Sequence, residues 1–281
     1  MKIRVRFYYL LRIFGSLILV GALLVGYAFY IEPGWLKIER VTINLNRLPS
    51  NFSGYRIAQL SDFHLNKYNQ REKLHAAVDQ VIRLSPDVIV LTGDFISSLS
   101  GGEAEALELE LSRLSAPDGI LAVLGNHDWW LNPVIVSNAL RGAGVTLLRN
   151  SYATITRSDQ QLYIAGVDDA WVGKANLARA LEGIPSEAVV ILLAHEPDFA
   201  DTYALGGRVI LQLSGHSHGG QVRLPGLKAF ITPLWGQKYT NGLFTIQNMQ
   251  LYVTRGVGVY PLPFRFFCRP EVTLLTVITH K

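Results

Sequence analysis

The chain has 281 residues, 49% of them hydrophobic and 17% charged, which calls for a substantial buried core and excludes a disordered chain. Its net charge of +4 comes from Lys2, Arg4, Arg6 and Arg12, which precede the first acid, so the remainder is neutral on average and nucleic acid is a poor candidate partner. The one cysteine, Cys268, excludes an internal disulfide.

Residues 1–12 read as a basic cytoplasmic N-terminus. The segment from Ile13 to Ile31 carries no charge and is long enough for a tilted transmembrane helix. The positive cluster ahead of it predicts a single-pass anchor in the inner (cytoplasmic) membrane, with the N-terminus inside and the body outside the cytoplasm. The rival is a cleaved signal peptide, with Gly26 and Ala28 as the small residues before the cut; the length of the apolar run favours the anchor.

From about residue 40 to 281 the chain reads as one α/β domain. A strand is expected over "YRIAQLSD" (55–62) and a helix over 71–85, stopped by Pro86. A buried strand "DVIVLTGD" (87–94), a helix over 103–115 and a strand "GILAVLGNHD" (119–128) follow. A helix over 132–144 is capped by Asn132, with Pro133 in its first turn. The later runs "VTLLRN", "LYIAGVDD", "AVVILLAHEPD", "RVILQLSGHSH", "LYVTRG" and "EVTLLTVIT" are mostly strand-like, so two packed mixed sheets with outer helices fit better than one parallel sheet.

The informative feature is where the polar residues fall. Five apolar runs each end in residues that ligate metals: Asp62 and His64, Asp94, Asn126 with His127 and Asp128, His195, and the pair His216 and His218. Carboxylate, amide oxygen and imidazole suit divalent ions such as manganese, iron and zinc. Five of the seven histidines lie in this set; His75 sits in a helical pattern and His280 is penultimate, and both read as structural or solvated. Any one of these short motifs is weak, whereas the ordered set is specific.

That order, Asp-x-His, Gly-Asp, Gly-Asn-His-Asp, His and Gly-His-x-His, resembles the calcineurin-like metallophosphoesterase superfamily. "LYVTRGVG" and "RPEVTLLT" resemble its membrane-associated branch of bacterial phosphodiesterases and UDP-2,3-diacylglucosamine pyrophosphatases. The resemblance implies a four-layer α/β/β/α sandwich and two divalent ions, manganese or iron, with zinc as an alternative. Asp62, His64, Asp94 and His218 would hold one ion and Asp94, Asn126, His195 and His216 the other. His127 would face the phosphate, oriented by Asp128. The implied activity is hydrolysis of a phosphodiester or pyrophosphate bond in a lipid-linked substrate. Alternatives are a general phosphodiesterase on soluble or cell-envelope esters and a non-catalytic metal-binding membrane protein.

After Gly-Asp this chain offers only Ser97 and Ser98 where many relatives carry an acid or Asn. Asp168 and Asp169 read as a turn or cap, and Gln221 as a loop-stabilising hydrogen bond. Residues 224–239 and 259–267 are apolar and basic. They suggest a rim for acyl chains and headgroups, with Leu227, Lys228, Phe230, Ile231, Leu234, Trp235 and Lys238 in the first stretch; ordinary packing is the alternative. Arg255 is the candidate substrate contact, through bidentate binding of phosphate oxygens.

Overall fold

The computed structural model describes residues 2–66, 71–224, 226–227, 229 and 231–279. Lys228 and Phe230 of the expected rim, and His280, lie outside the described residues. Helix α1 (Lys2–Gly26) runs on through a π turn (Tyr27–Ile31) and a 3₁₀ turn (Glu32–Gly34). Then come β1 (Lys37–Asn44), β2 (Tyr55–Leu60), α2 (Arg71–Leu84), β3 (Val88–Thr92), α3 (Glu103–Leu111) and β4 (Ile120–Val123). They are followed by α4 (Asn126–Leu131), α5 (Pro133–Gly142), β5 (Thr146–Leu147), β6 (Ser151–Arg157), β7 (Gln160–Gly166) and α6 (Leu177–Ala180). The chain continues through β8 (Val190–Leu193), α7 (Ala200–Tyr203), β9 (Val209–Ser214), β10 (Gly242–Ile246), β11 (Met249–Val253) and β12 (Glu271–Ile278).

The strands form two six-stranded sheets, ordered β1-β12-β2-β3-β4-β5 and β10-β11-β9-β8-β7-β6. Both are mixed: β2, β3, β4 and β5 run parallel, and so do β7, β8, β9 and β11, while β12 pairs antiparallel with β2 and β6 with β7. Strand alternation builds the layers. In β3, Val88 and Val90 point into the inter-sheet core with Ile191 and Leu193 of β8, while Ile89 and Leu91 point the other way, among residues of α2, α3 and α5. On the second sheet, Val190 and Leu192 face outward and pack against the layer that holds α6 and α7. The order is therefore α/β/β/α, as expected. Burial on both faces explains why β3 and β8 are unbroken apolar runs.

The sequence reading differs from the structure at several boundaries. "GNHD" is not a strand end: β4 stops at Val123, and Asn126 opens α4, whose first turn is held by the Asp128 carboxylate accepting from Gly125 N. The 55–62 strand ends at Leu60, because Asp62 turns into the left-handed region (φ 55°). The body also begins earlier than residue 40. Strand β1 starts at Lys37 and pairs in parallel with the C-terminal β12, so the two ends of the domain are stitched together in one sheet. The cap at Asn132 is as expected, its Oδ1 accepting from Val134 N and Ile135 N. The apolar helical span, Phe7–Gly34, exceeds the expected Ile13–Ile31 at both ends.

Candidate metal centre

Asp62 and His64 follow β2, Asp94 follows β3, Asn126 to Asp128 follow β4, His195 follows β8, and His216 and His218 follow β9. These are carboxyl ends of neighbouring parallel strands from both sheets, the edge where open α/β sheets collect their sites. The structure brings Asp62, His64 and His218 into one cluster and Asp94, His195 and His216 into another, each with ligand-type atoms within 4.8 Å of one another. All six residues are buried.

Asp94 lies between the clusters. Its Oδ2 is 3.4 Å from His64 Nε2 and 3.1 Å from His195 Nε2, while Oδ1 accepts from His127 N at 2.9 Å. Backbone carbonyls, which only accept, fix two of the rings. His195 Nδ1 donates to Thr92 O and His216 Nε2 donates to Leu234 O, so His195 Nε2 and His216 Nδ1 face each other at 3.2 Å beside Asp94. Across the site, His64 Nε2 and His218 Nε2 stand 2.9 Å apart. Asn126 Oδ1, His64 Nδ1 and His218 Nδ1 are buried with no hydrogen-bond partner. Ring nitrogens crowded face to face and an orphaned amide oxygen next to carboxylates are what a bound cation would satisfy, so the donor set fits divalent ions.

Burial pushes the His64 imidazole down to about 3 and His216 to about 4, and holds His218 well below the ordinary range. All three are neutral bases at neutral pH, the form that ligates metals. Burial raises Asp62 to about 7, with the Asp94 charge adding to it against the opposing pull of His195. Burial also works against the charge on Asp94, but His195 and His127 outweigh it and hold this carboxyl well below the usual range. The reciprocal attraction raises His195.

The backbone is bent to achieve this. Asp62, His64, Asp94, His216 and His218 all sit at φ between 50° and 70°. A non-glycine residue in such a sparsely populated region costs about 1–3 kcal/mol, and such residues cluster at functional sites. Gly215 permits one close approach: a Cβ there would collide with Ser61 Oγ and Asp62 Oδ2.

The centre opens into a cavity of about 240 Å³. His127, part-buried, packs edge-on against His64 at 4.8 Å and Tyr260 at 4.2 Å, with Trp130 at 4.9 Å. Trp171 stands against Trp130 and His216 and completes an aromatic wall that sequence reasoning missed. Its signal was faint: two tryptophans distant in sequence, Trp130 in α4 and Trp171 in a loop. Gln221, expected to stabilise a loop, holds the Tyr260 side of the cavity, accepting from Tyr260 N and donating to Leu262 O.

Two expected roles are corrected. Asp128 does not orient His127; its carboxylate is occupied by the backbone N–H groups of Asp94, Phe95, Ile96 and Gly125, so it shapes the Asp94 loop instead. Arg255 does not line the cavity. Its guanidinium pairs with Glu271 and, at 3.2 Å, with Glu39, which ties β11, β12 and β1 together.

Asp168 and Asp169 also do more than cap a turn. Asp168 accepts from Trp129 Nε1 and Arg149. Asp169 lies against Glu196, and its Oδ2 is buried without a donor. Burial, together with a hydrogen bond to Glu196, pushes Asp169 up to about 9, so it stays protonated and donates to Glu196. In the unfolded chain Asp169 ionises near 4. The folded state therefore holds the extra proton between roughly pH 4 and 9, and this contribution to stability falls as pH rises through that window. Asp169→Asn reproduces the donor without the proton. Its melting temperature relative to wild type is expected to climb from pH 5 to pH 9; parallel curves would refute the shared proton.

A profile of the family described as "Calcineurin-like phosphoesterase" matches residues 55–220. An uncharacterized metallophosphoesterase of Bacillus subtilis, YkuE, is 36% identical over 90% of this chain and 89% of its own length. The phosphodiesterase YaeI of Escherichia coli is 31% identical over 90% of this chain and 92% of its own. The UDP-2,3-diacylglucosamine pyrophosphatase LpxG of Chlamydia trachomatis is 28% identical over 89% of this chain and 91% of its own. With the matched segment carrying every candidate ligand from Asp62 to His218, the chain belongs to the calcineurin-like phosphoesterase family and is a metal-dependent phosphoester hydrolase.

Proposed function

We propose that this protein is a membrane-anchored, dinuclear hydrolase that cleaves a phosphodiester or pyrophosphate bond in a lipid-linked substrate. The observation that carries this reading is Asp94 Oδ2, poised between His64 on one side and His195 on the other. Asp62, His64, Asp94 and His218 hold one ion. Asp94, Asn126, His195 and His216 hold the second, with manganese or iron best suited to the mixed nitrogen and oxygen donors. When bound, such a pair neutralises phosphoryl charge and activates water for in-line attack.

The chain's own residues do the rest. His127, fixed through its backbone N–H on Asp94, faces the cavity; burial lowers its imidazole, and the negative charge of a bound phosphoester would offset this so that it carries the proton it gives to the leaving oxygen. Trp130, Trp171 and Tyr260 wall the centre and limit water to one side. A cavity of about 240 Å³ takes a phosphate and part of a headgroup but not acyl chains, which must stay outside. The lipid-linked reading draws support from the relative named for UDP-2,3-diacylglucosamine and from the helical span Phe7–Gly34, which is long and apolar enough to cross a bilayer. The basic residues ahead of it favour an N-terminus in the cytoplasm and a body outside.

The test is a substrate panel with the full chain in detergent and manganese, comparing UDP-diacylglucosamine, phospholipids, teichoic acid fragments and a chromogenic diester. Metal-dependent turnover, fastest on a lipid-linked member, is expected. Faster turnover of the soluble esters would replace the lipid reading with the general phosphodiesterase. Absence of chelator-sensitive hydrolysis across the panel would refute the enzyme reading.

A further inference from the structure

The end of the N-terminal helix is not a loose tether. Glu32 is fully buried, and its carboxylate accepts from the backbone N–H groups of Phe267 and Cys268. Arg265 N donates to Ala28 O, Phe29 packs on Phe264 at 4.7 Å, and Tyr27 meets Phe266 edge-on at 6.3 Å. The docking loop is itself rigid. Arg265 is fully buried and spends its guanidinium on the carbonyls of Arg255, Gly258 and Cys268. A few residues upstream the same loop supplies Tyr260 and Pro261 to the cavity wall. The neighbouring segment is joined to it, with Val222 bridged to Phe266 and Arg223 N donating to Phe266 O, and it continues to Ile231 and Pro233 on the wall.

These two segments expose apolar side chains that a soluble face would keep few. Leu224, Ile231, Leu234, Trp235, Leu262 and Phe267 are each 37% to 57% exposed. Trp35, at the foot of the helix, is half-exposed beneath the Arg269 guanidinium, 4.0 Å from its ring. An amphipathic aromatic beside a cation suits the headgroup layer.

We propose that this rim is a bilayer-contact surface, and that the Glu32 latch presses the cavity mouth onto the membrane from which the helix emerges. The inference rests on the reading of Phe7–Gly34 as a membrane span. The occupant is a lipid bilayer, because the rim is continuous with the residues that grip the helix end. Phosphoesters presented at the headgroup layer could then reach His127 without leaving the membrane, and their acyl chains would remain in it.

The test uses the full chain in vesicles of phosphatidylethanolamine and phosphatidylglycerol, with one environment-sensitive label at a time. Leu234→Cys and Leu262→Cys report the rim. Leu205→Cys, 72% exposed and ahead of β9 at the end opposite His216, is the control, and the buried native Cys268 stays unlabelled. Doxyl lipids should quench both rim labels and spare the control. Equal accessibility of all three labels would overturn the proposal. Glu32→Gln should reduce quenching at Leu262 while the helix stays inserted. Leu224→Glu and Leu227→Glu, at exposed rim positions that do not line the cavity, should lose rim binding and keep turnover of a soluble chromogenic diester. Quenched rim labels combined with no turnover of any lipid-linked phosphoester would uphold the surface and remove only the lipid-substrate reading.

Discussion

Asp94→Asn is expected to lower kcat/KM for a phosphodiester by more than ~10³-fold, beyond what removal of a single transition-state hydrogen bond costs. The substitution is sterically conservative. An Asn Oδ1 still accepts from His127 N, and the amide nitrogen takes the place of Oδ2 between His64 Nε2 and His195 Nε2. What disappears is the negative charge common to both clusters. Without it neither ion of the proposed pair would have a shared counter-charge from the chain, and Asp94 would no longer hold the two clusters to one carboxylate. Metal content per chain, measured by atomic emission after dialysis, should fall together with activity. A variant that kept its metal and stayed within about tenfold of wild type would remove Asp94 from the bridging role, since a unit charge lost from a buried site is worth far more than that.

His127→Ala should leave metal content unchanged and slow kcat by about 10²–10⁴-fold, the range for a positioned general acid. Geometry alone leaves a second role open, because His64, Asp94 and His127 also form a cluster with atoms within 4.8 Å of one another. The variant separates the roles. If His127 were a ligand, metal would be lost; if it protonates the leaving oxygen, metal stays. The dependence on leaving group sharpens the result. A nitrophenolate departs without a proton and should lose little, whereas an alkoxide or sugar leaving group should lose most. Equal losses on both substrates would rule out proton donation.

The candidate ligands were legible in the sequence because metal-binding chemistry demands particular side chains at strand ends, and buried parallel strands announce themselves as apolar runs. Asp62 through His218 could therefore be read from the chain alone, and so could the layering, since β3 and β8 are apolar on both faces. The helix at Asn126 was hidden because its cap is a glycine, Gly125, held by an Asp128 carboxylate that also takes the backbone N–H of Asp94 from far away in sequence. Arg255 looked like a phosphate ligand because a lone arginine in a glycine-rich turn shows nothing of Glu271 and Glu39, the latter far away in sequence. The aromatic wall and the Glu32 latch share that obscurity. Each joins segments that only the fold brings together.

The left-handed backbone at Asp62, His64, Asp94, His216 and His218 has a consequence for how this enzyme can change. Glycine adopts that region freely, so glycine at these positions would relieve strain that the wild type maintains. Five of the twelve described non-glycine residues with positive φ are gathered at the candidate metal centre, which concentrates backbone strain there. Selection for thermal robustness alone would favour glycine at these five positions, whereas selection for turnover would keep the candidate ligands against that gradient.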